Sequence, residues 1–164
     1  MIPHLALALA LLSAPRAPLT QARVDALVDR ASETNMDQRA YRELLALGPR
    51  AIPFLIPRLD VKPSNESSVL YSALRKAGPA GVPVLAPALK SPTLRIRHRA
   101  TMVVSAIRDP VVRPYLLKLL TDPDPTVRAQ AALGCAYQLD PWGVPPLCAL
   151  LARRDEHPSV TLAA

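Results

Sequence analysis

Three histidines are the natural place to look for chemistry, and they are scattered: His4, His98 and His157. None belongs to an H-x-x-x-H or H-E-x-x-H arrangement, which would set two imidazoles on one helix face around a metal. No P-loop, no G-x-S-x-G and no paired-glycine phosphate cradle occurs. Asp109, Asp122, Asp124 and Asp140 each stand just before a helical pattern. A carboxylate there accepts from the first free N–H groups of the helix, which explains these acids without catalysis. The reading is no catalytic residue, no metal ligand set and no cofactor.

Cys135 and Cys148 lie at similar distances from one turn. Facing one another across a helical hairpin, they would form a disulfide in an oxidising compartment. The alternative is a pair of small buried hydrophobes.

Charge is unevenly spread. The chain of 164 residues carries a formal net charge of +7. Between residues 90 and 118, Lys90, Arg95, Arg97, Arg99, Arg108, Arg113 and Lys118 face a single acid, Asp109. Nearly all of the excess therefore sits in one stretch, the footprint expected of a surface that attracts anionic partners.

The elements that must position these residues come from a repeat. Pro110, Pro114, Leu116 and Leu120 match Pro79, Pro83, Leu85 and Leu89, and a further step back finds Pro49, Pro53, Leu55 and Leu59. Ile96-Arg97 and Val127-Arg128 recur in the same register. Each unit reads as two helices. The first opens with prolines, tolerated where N–H groups have no intrahelical partner, and carries leucines four apart on one face. After a polar turn the second shows its own apolar arc, as in Ile96, Ala100, Val103, Val104 and Ile107. The units are approximately 20–47, 49–77, 79–108, 110–139 and 141–164. Short hairpins that cannot bury their apolar faces alone must stack. The fold class is all-α, an α-solenoid of about five hairpins with the last one truncated. Val160 and Leu162 are expected to dock over helix 144–153, or that end self-associates.

The run Asp109-Pro110-x-x-x-Pro114-x-Leu116-x-x-x-Leu120-x-Asp122-x-Asp124-x-x-Val127-Arg128-x-x-Ala131 resembles a HEAT repeat, of the short kind found in phycobilisome-lyase-like proteins. The resemblance covers about residues 49–158. Asn65-Glu66-Ser67-Ser68-Val69 departs from it by lacking the Val-Arg pair. HEAT repeats imply a fold more strongly than a function, and they include scaffolds as well as a few enzymes. The resemblance implies that second helices line a concave face. On that face helical angle places Arg95, Arg99 and Met102, with Ser68, Tyr71 and Arg75 one unit back and Gln130, Leu133 and Tyr137 one unit on. Tyr71, Arg75, Arg95, Arg99 and Tyr137 are the candidate partner-binding residues, because tyrosine and arginine dominate interface energetics. Arg97 and Arg128 are expected to hold neighbouring units together instead.

At the amino terminus, Leu5 to Leu12 is an unbroken apolar run followed by small residues at Ala14, Ala17 and Ala22. It fits a signal-peptide h-region, so residues 1–22 read as a signal peptide and 23–164 as the solenoid domain. Eight residues are too few to span a bilayer, and no other apolar run is long enough. The sequence thus describes an exported, non-catalytic scaffold or adaptor, periplasmic or extracellular, that presents a basic concave surface to an acidic protein partner. The alternatives are a cytoplasmic nucleic-acid-binding solenoid and an accessory lyase-like enzyme.

Overall fold

The computed structural model describes residues 18–33, 35–138, 141–152, 157–161 and 163. Most of the apolar stretch read as a signal peptide, along with Asp140 and Leu162, lies outside them. Among the described residues every regular element is helical. The units fall where the prolines and caps place them. Helices α1 (Gln21–Ser32) and α2 (Gln38–Ala46) form the first hairpin. The next first-helix position is split into a 3₁₀ turn at Gly48–Ala51, α3 (Ile52–Leu55) and a second 3₁₀ segment at Ile56–Asp60, followed by α4 (Asn65–Lys76). The third hairpin repeats that plan with 3₁₀ turns at Pro79–Gly81 and Ala88–Lys90 around α5 (Val82–Leu85), then α6 (Leu94–Ser105). The fourth holds α7 (Arg113–Leu119) and α8 (Pro125–Tyr137), and the last holds α9 (Val144–Leu151) and the short α10 (Pro158–Thr161).

Proline spacing decides which first helices stay whole. In the second and third hairpins prolines recur every four residues, at 49, 53 and 57 and at 79, 83 and 87. A proline inside a helix lacks the N–H for its i−4 bond, and its ring crowds that carbonyl. The chain answers with short 3₁₀ pieces. In the fourth and fifth hairpins the third proline is replaced by Lys118 and Ala149, and α7 and α9 run unbroken through those positions.

The core is one continuous layer between the two rows of helices. Leu55, Leu59, Leu85, Leu89, Leu116 and Leu120, the leucines of the repeat, are all buried. The second helices bury equivalent positions, Val69, Ala100 and Ala131 in one column and Ala73, Val104 and Cys135 in another. Helix α4 keeps that register but starts late, because Ser64 caps it in a reciprocal box with Ser67. Where α6 meets α8 the approach is close. A Cβ on Gly134 would lie 2.6 Å from Oγ of Ser105, whose hydroxyl donates to the Gln130 carbonyl at 2.9 Å. Glycine is needed there so that the two backbones can meet.

Of the two residues expected to dock over helix 144–153, Val160 is within the described residues and Leu162 is outside them. Val160 is 0% exposed, and α10 packs on α8 and α9. Leu151, the last leucine of the repeat, remains 45% exposed.

Candidate functional site

Ion pairs and carbonyl contacts occupy the arginines at the joints between hairpins. Arg58 spans the first joint. Its guanidinium donates to Glu66 at 2.8 Å, to Asp29 at 2.6 Å and to both the carbonyl and carboxylate of Asp25. Glu66 stands at the register position filled by Arg97 and Arg128 in later units, which explains why the second unit lacks the Val-Arg pair: the charge is reversed and the cation comes from the first helix. Arg97 joins the third and fourth hairpins. It donates to the Ser91 carbonyl at 2.7 Å and to both carboxylate oxygens of Asp122, at 2.9 and 3.3 Å. Arg128 donates to the carbonyls of Asp122 and Pro123.

Asp109 and Asp124 cap their helices, accepting from Val111 N–H and from Thr126 and Val127 N–H. Burial pushes the Asp124 carboxyl up, but the hydroxyl of Thr126, which also donates to it, and those backbone bonds hold it below its ordinary range.

Four of the five candidate binding residues are distributed over two adjoining depressions. Tyr71, Arg95 and Arg99 come together in a groove of about 580 Å³ between α4 and α6, with Ser68, Ser72, His98 and Met102. The two arginines are not open there. Arg95 donates to the Asp60 carbonyl at 2.7 Å and its carboxylate at 3.1 Å, and Arg99 donates to the Leu59 carbonyl at 2.9 Å. Leu59 and Asp60 end the proline-broken helix of the preceding hairpin, where carbonyls have lost their helical partners. Arg95 and Arg99 therefore cap a helix end as well as lining the groove, a structural role that the sequence reading reserved for Arg97 and Arg128. Burial, with Arg95 alongside, lowers the Arg99 guanidinium below its ordinary value. Burial likewise lowers the His98 imidazole, against the pull of Asp124, and favours its neutral form.

Arg75 lies in the neighbouring cleft, of about 420 Å³, with Tyr41, Ser72, Lys76 and Arg108. Ser72 lines both depressions, so they meet on the second-helix face. A smaller hollow joined through Tyr41, Ser68 and Ser72 extends them toward Met36. Tyr137 lies outside all three, 51% exposed on α8. Lys76, Arg108 and Tyr41 were missed by helical-angle reasoning: the two cations sit at or beyond helix ends, and Tyr41 belongs to the irregular first hairpin. A further depression of about 560 Å³ lies at the turns of the third and fourth hairpins, lined by Lys90, Pro114, Tyr115 and Lys118.

Both cysteines are free, so the disulfide considered from the sequence is not formed. Cys135 is buried while Cys148 is exposed on α9. Burial pushes the Cys135 thiol up to about 11, which keeps it protonated and unreactive. Among the described residues no group of three or more histidine, cysteine or acidic side chains is placed to hold a metal ion. No described helix is long and apolar enough to cross a membrane.

Comparison with known proteins agrees with this architecture. No curated protein matches the sequence. A chain in the structure of the complex of CpcE and CpcF of phycocyanin lyase from Nostoc sp. PCC7120 superposes with a TM-score of 0.55 at 18% identity. The match covers 88% of this chain and 99% of that one. At that identity the likeness concerns the fold. The family model for HEAT repeats matches residues 68–134, the stretch from the groove-lining α4 through the close α6–α8 contact. The chain is an α-solenoid, and its residues 68–134 match the model for HEAT repeats.

Proposed function

We propose that this solenoid is a non-catalytic protein-binding module that holds an extended, acidic segment of a partner along its second-helix face. The observation that carries this reading is the continuity of the depressions there, which meet at Ser68, Ser72 and Tyr41. Together they offer a long trough instead of an enclosed pocket, the shape that suits a chain segment. Tyr41, Tyr71 and Met102 supply contact area at its floor, while Arg75, Lys76 and Arg108 give one end a positive potential. That the similar lyase chain was solved in complex with another protein is consistent with such use.

Export belongs to the same proposal. Cleavage after Ala17 would retain Thr20, which caps α1, and Gln21, which donates to the Phe54 carbonyl at 3.0 Å. Cleavage after Ala22 would remove both, so we place the mature terminus before Thr20.

A glutamate-rich extended peptide interspersed with leucine, titrated against the full chain, tests the binding reading. Tyr71→Ala with Met102→Ala should weaken capture about tenfold, the loss expected when interface anchors are truncated. Unchanged affinity would refute the trough, and tighter binding of duplex DNA at matched salt would favour the nucleic-acid alternative. The lyase-like alternative takes its support from the fold neighbour and would require pigment attachment to a protein substrate.

A further inference from the structure

The cations that this face leaves without an acid gather at one place. Arg75 and Lys76 lie in the last turn of α4, and Arg108 enters from the loop that follows α6. All three are exposed, and no described side chain or carbonyl pairs with them. The hydroxyls of Tyr41 and Ser72, which line the same cleft, are likewise without a hydrogen-bond partner. The carbonyl ends of α4 and α6 favour positive charge nearby, which explains why the cluster is tolerated. They leave the outward-facing donors open. Three like charges around one cleft remain mutually unfavourable until an anion enters.

A single carboxylate neutralises one of the three. A phosphate dianion neutralises two, and its oxygens accept from two guanidinium forks, an ammonium and two hydroxyls at once. We propose that the Arg75–Lys76–Arg108 cleft is a phosphate-binding site, taking either inorganic phosphate or a phosphoryl group carried on a partner side chain. At about 420 Å³ the cleft has room for the carrier as well as the group. The site is the basic end of the trough of the acidic-segment reading and deepens that reading, and the two can be tested apart because Tyr71, Met102 and the α6 arginines line the adjoining groove.

Titration calorimetry on the full chain at fixed ionic strength tests it, using inorganic phosphate and a serine peptide in phosphorylated and unphosphorylated forms. Wild type should bind phosphate, R75Q/R108Q should bind it at least about tenfold more weakly, and Y71A/M102A should change by less than about twofold. A phosphopeptide bound much more tightly than free phosphate would identify a side-chain phosphoryl group as the ligand; equal affinities would identify the free ion. Lys76→Gln, which also disturbs no described contact, should weaken binding in the same direction and serves if the double variant folds poorly. No uptake of phosphate by wild type would overturn the proposal. So would equal binding of the unphosphorylated peptide, an unaffected R75Q/R108Q with an unaffected Lys76→Gln, or an equal loss in Y71A/M102A.

Discussion

Two sets of cations share the second-helix face and differ in what they touch. Arg95 and Arg99 are spent on the carbonyls of Leu59 and Asp60, at the end of a helix that its own prolines have broken. Arg75, Lys76 and Arg108 touch no acid and no carbonyl among the described residues. The first set holds two hairpins in register; the second is available to a ligand. Net charge and helical angle treat the sets alike, because neither says what lies across the joint. A solenoid needs cations at its joints wherever prolines leave carbonyls unmet, so a basic stretch in such a chain is partly architecture.

The comparison can be broken most sharply at the joint between the third and fourth hairpins. Asp122 is 7% exposed and its partner Arg97 is 14% exposed. Arg97→Ala leaves that carboxylate nearly buried without its cation and should lower unfolding free energy by about 3 kcal/mol. A loss below about 1 kcal/mol in chemical denaturation, the range of exposed pairs, would show that the joint does not rest on this pair. Next comes R95Q/R99Q, expected to cost about 1–2 kcal/mol through lost charge-assisted bonds to carbonyls, with Arg95 contributing less because it is half exposed. Unaltered stability would free both arginines for a partner.

A smaller effect should follow pH. Burial lowers the folded-state pKa of His98 from its ordinary 6.5, so the unfolded chain takes up a proton more readily. Stability is then full above 6.5 and falls as pH drops through the window between 6.5 and the lowered folded value. Asp124 and Asp37 also have lowered pKa values, but from 3.8, and their contribution is lost only as pH falls below that. Thermal melts between pH 4.5 and 7.5 should therefore slope downward toward acid, and His98→Gln should flatten the slope. An identical slope in that variant would assign it to other groups. The smallest effect is expected at the open set: R75Q/R108Q should leave stability within about 0.5 kcal/mol, as surface changes without partners do. A larger loss would mean these residues have structural work as well.

The hairpin plan was legible because three signals coincide in the second, third and fourth units: prolines at the first helix, leucines four apart, and an acid or hydroxyl just before the second. The breakage of the first helices in the second and third hairpins was not read, because Pro57 and Pro87 were left out of the repeat and only the opening prolines were weighed. The contacts of Arg95 and Arg99 were not, since their acceptors lie 35 and 40 residues upstream on another hairpin. Tyr71 and these arginines line one groove, whereas Tyr137, grouped with them by register alone, lies apart from it. Lys76 was not read as a candidate, and Arg108 was counted only in the basic stretch, because the helical-angle test was applied within the helices and not at or beyond their ends.

Backbone amide exchange of the full chain, with and without the glutamate-rich peptide, tests the binding-module account most directly. Added protection should be confined to residues 36–45, 65–78 and 94–108, because those segments line the trough. Protection concentrated at 114–123, around the turn-side depression, or none at saturating peptide, would contradict it.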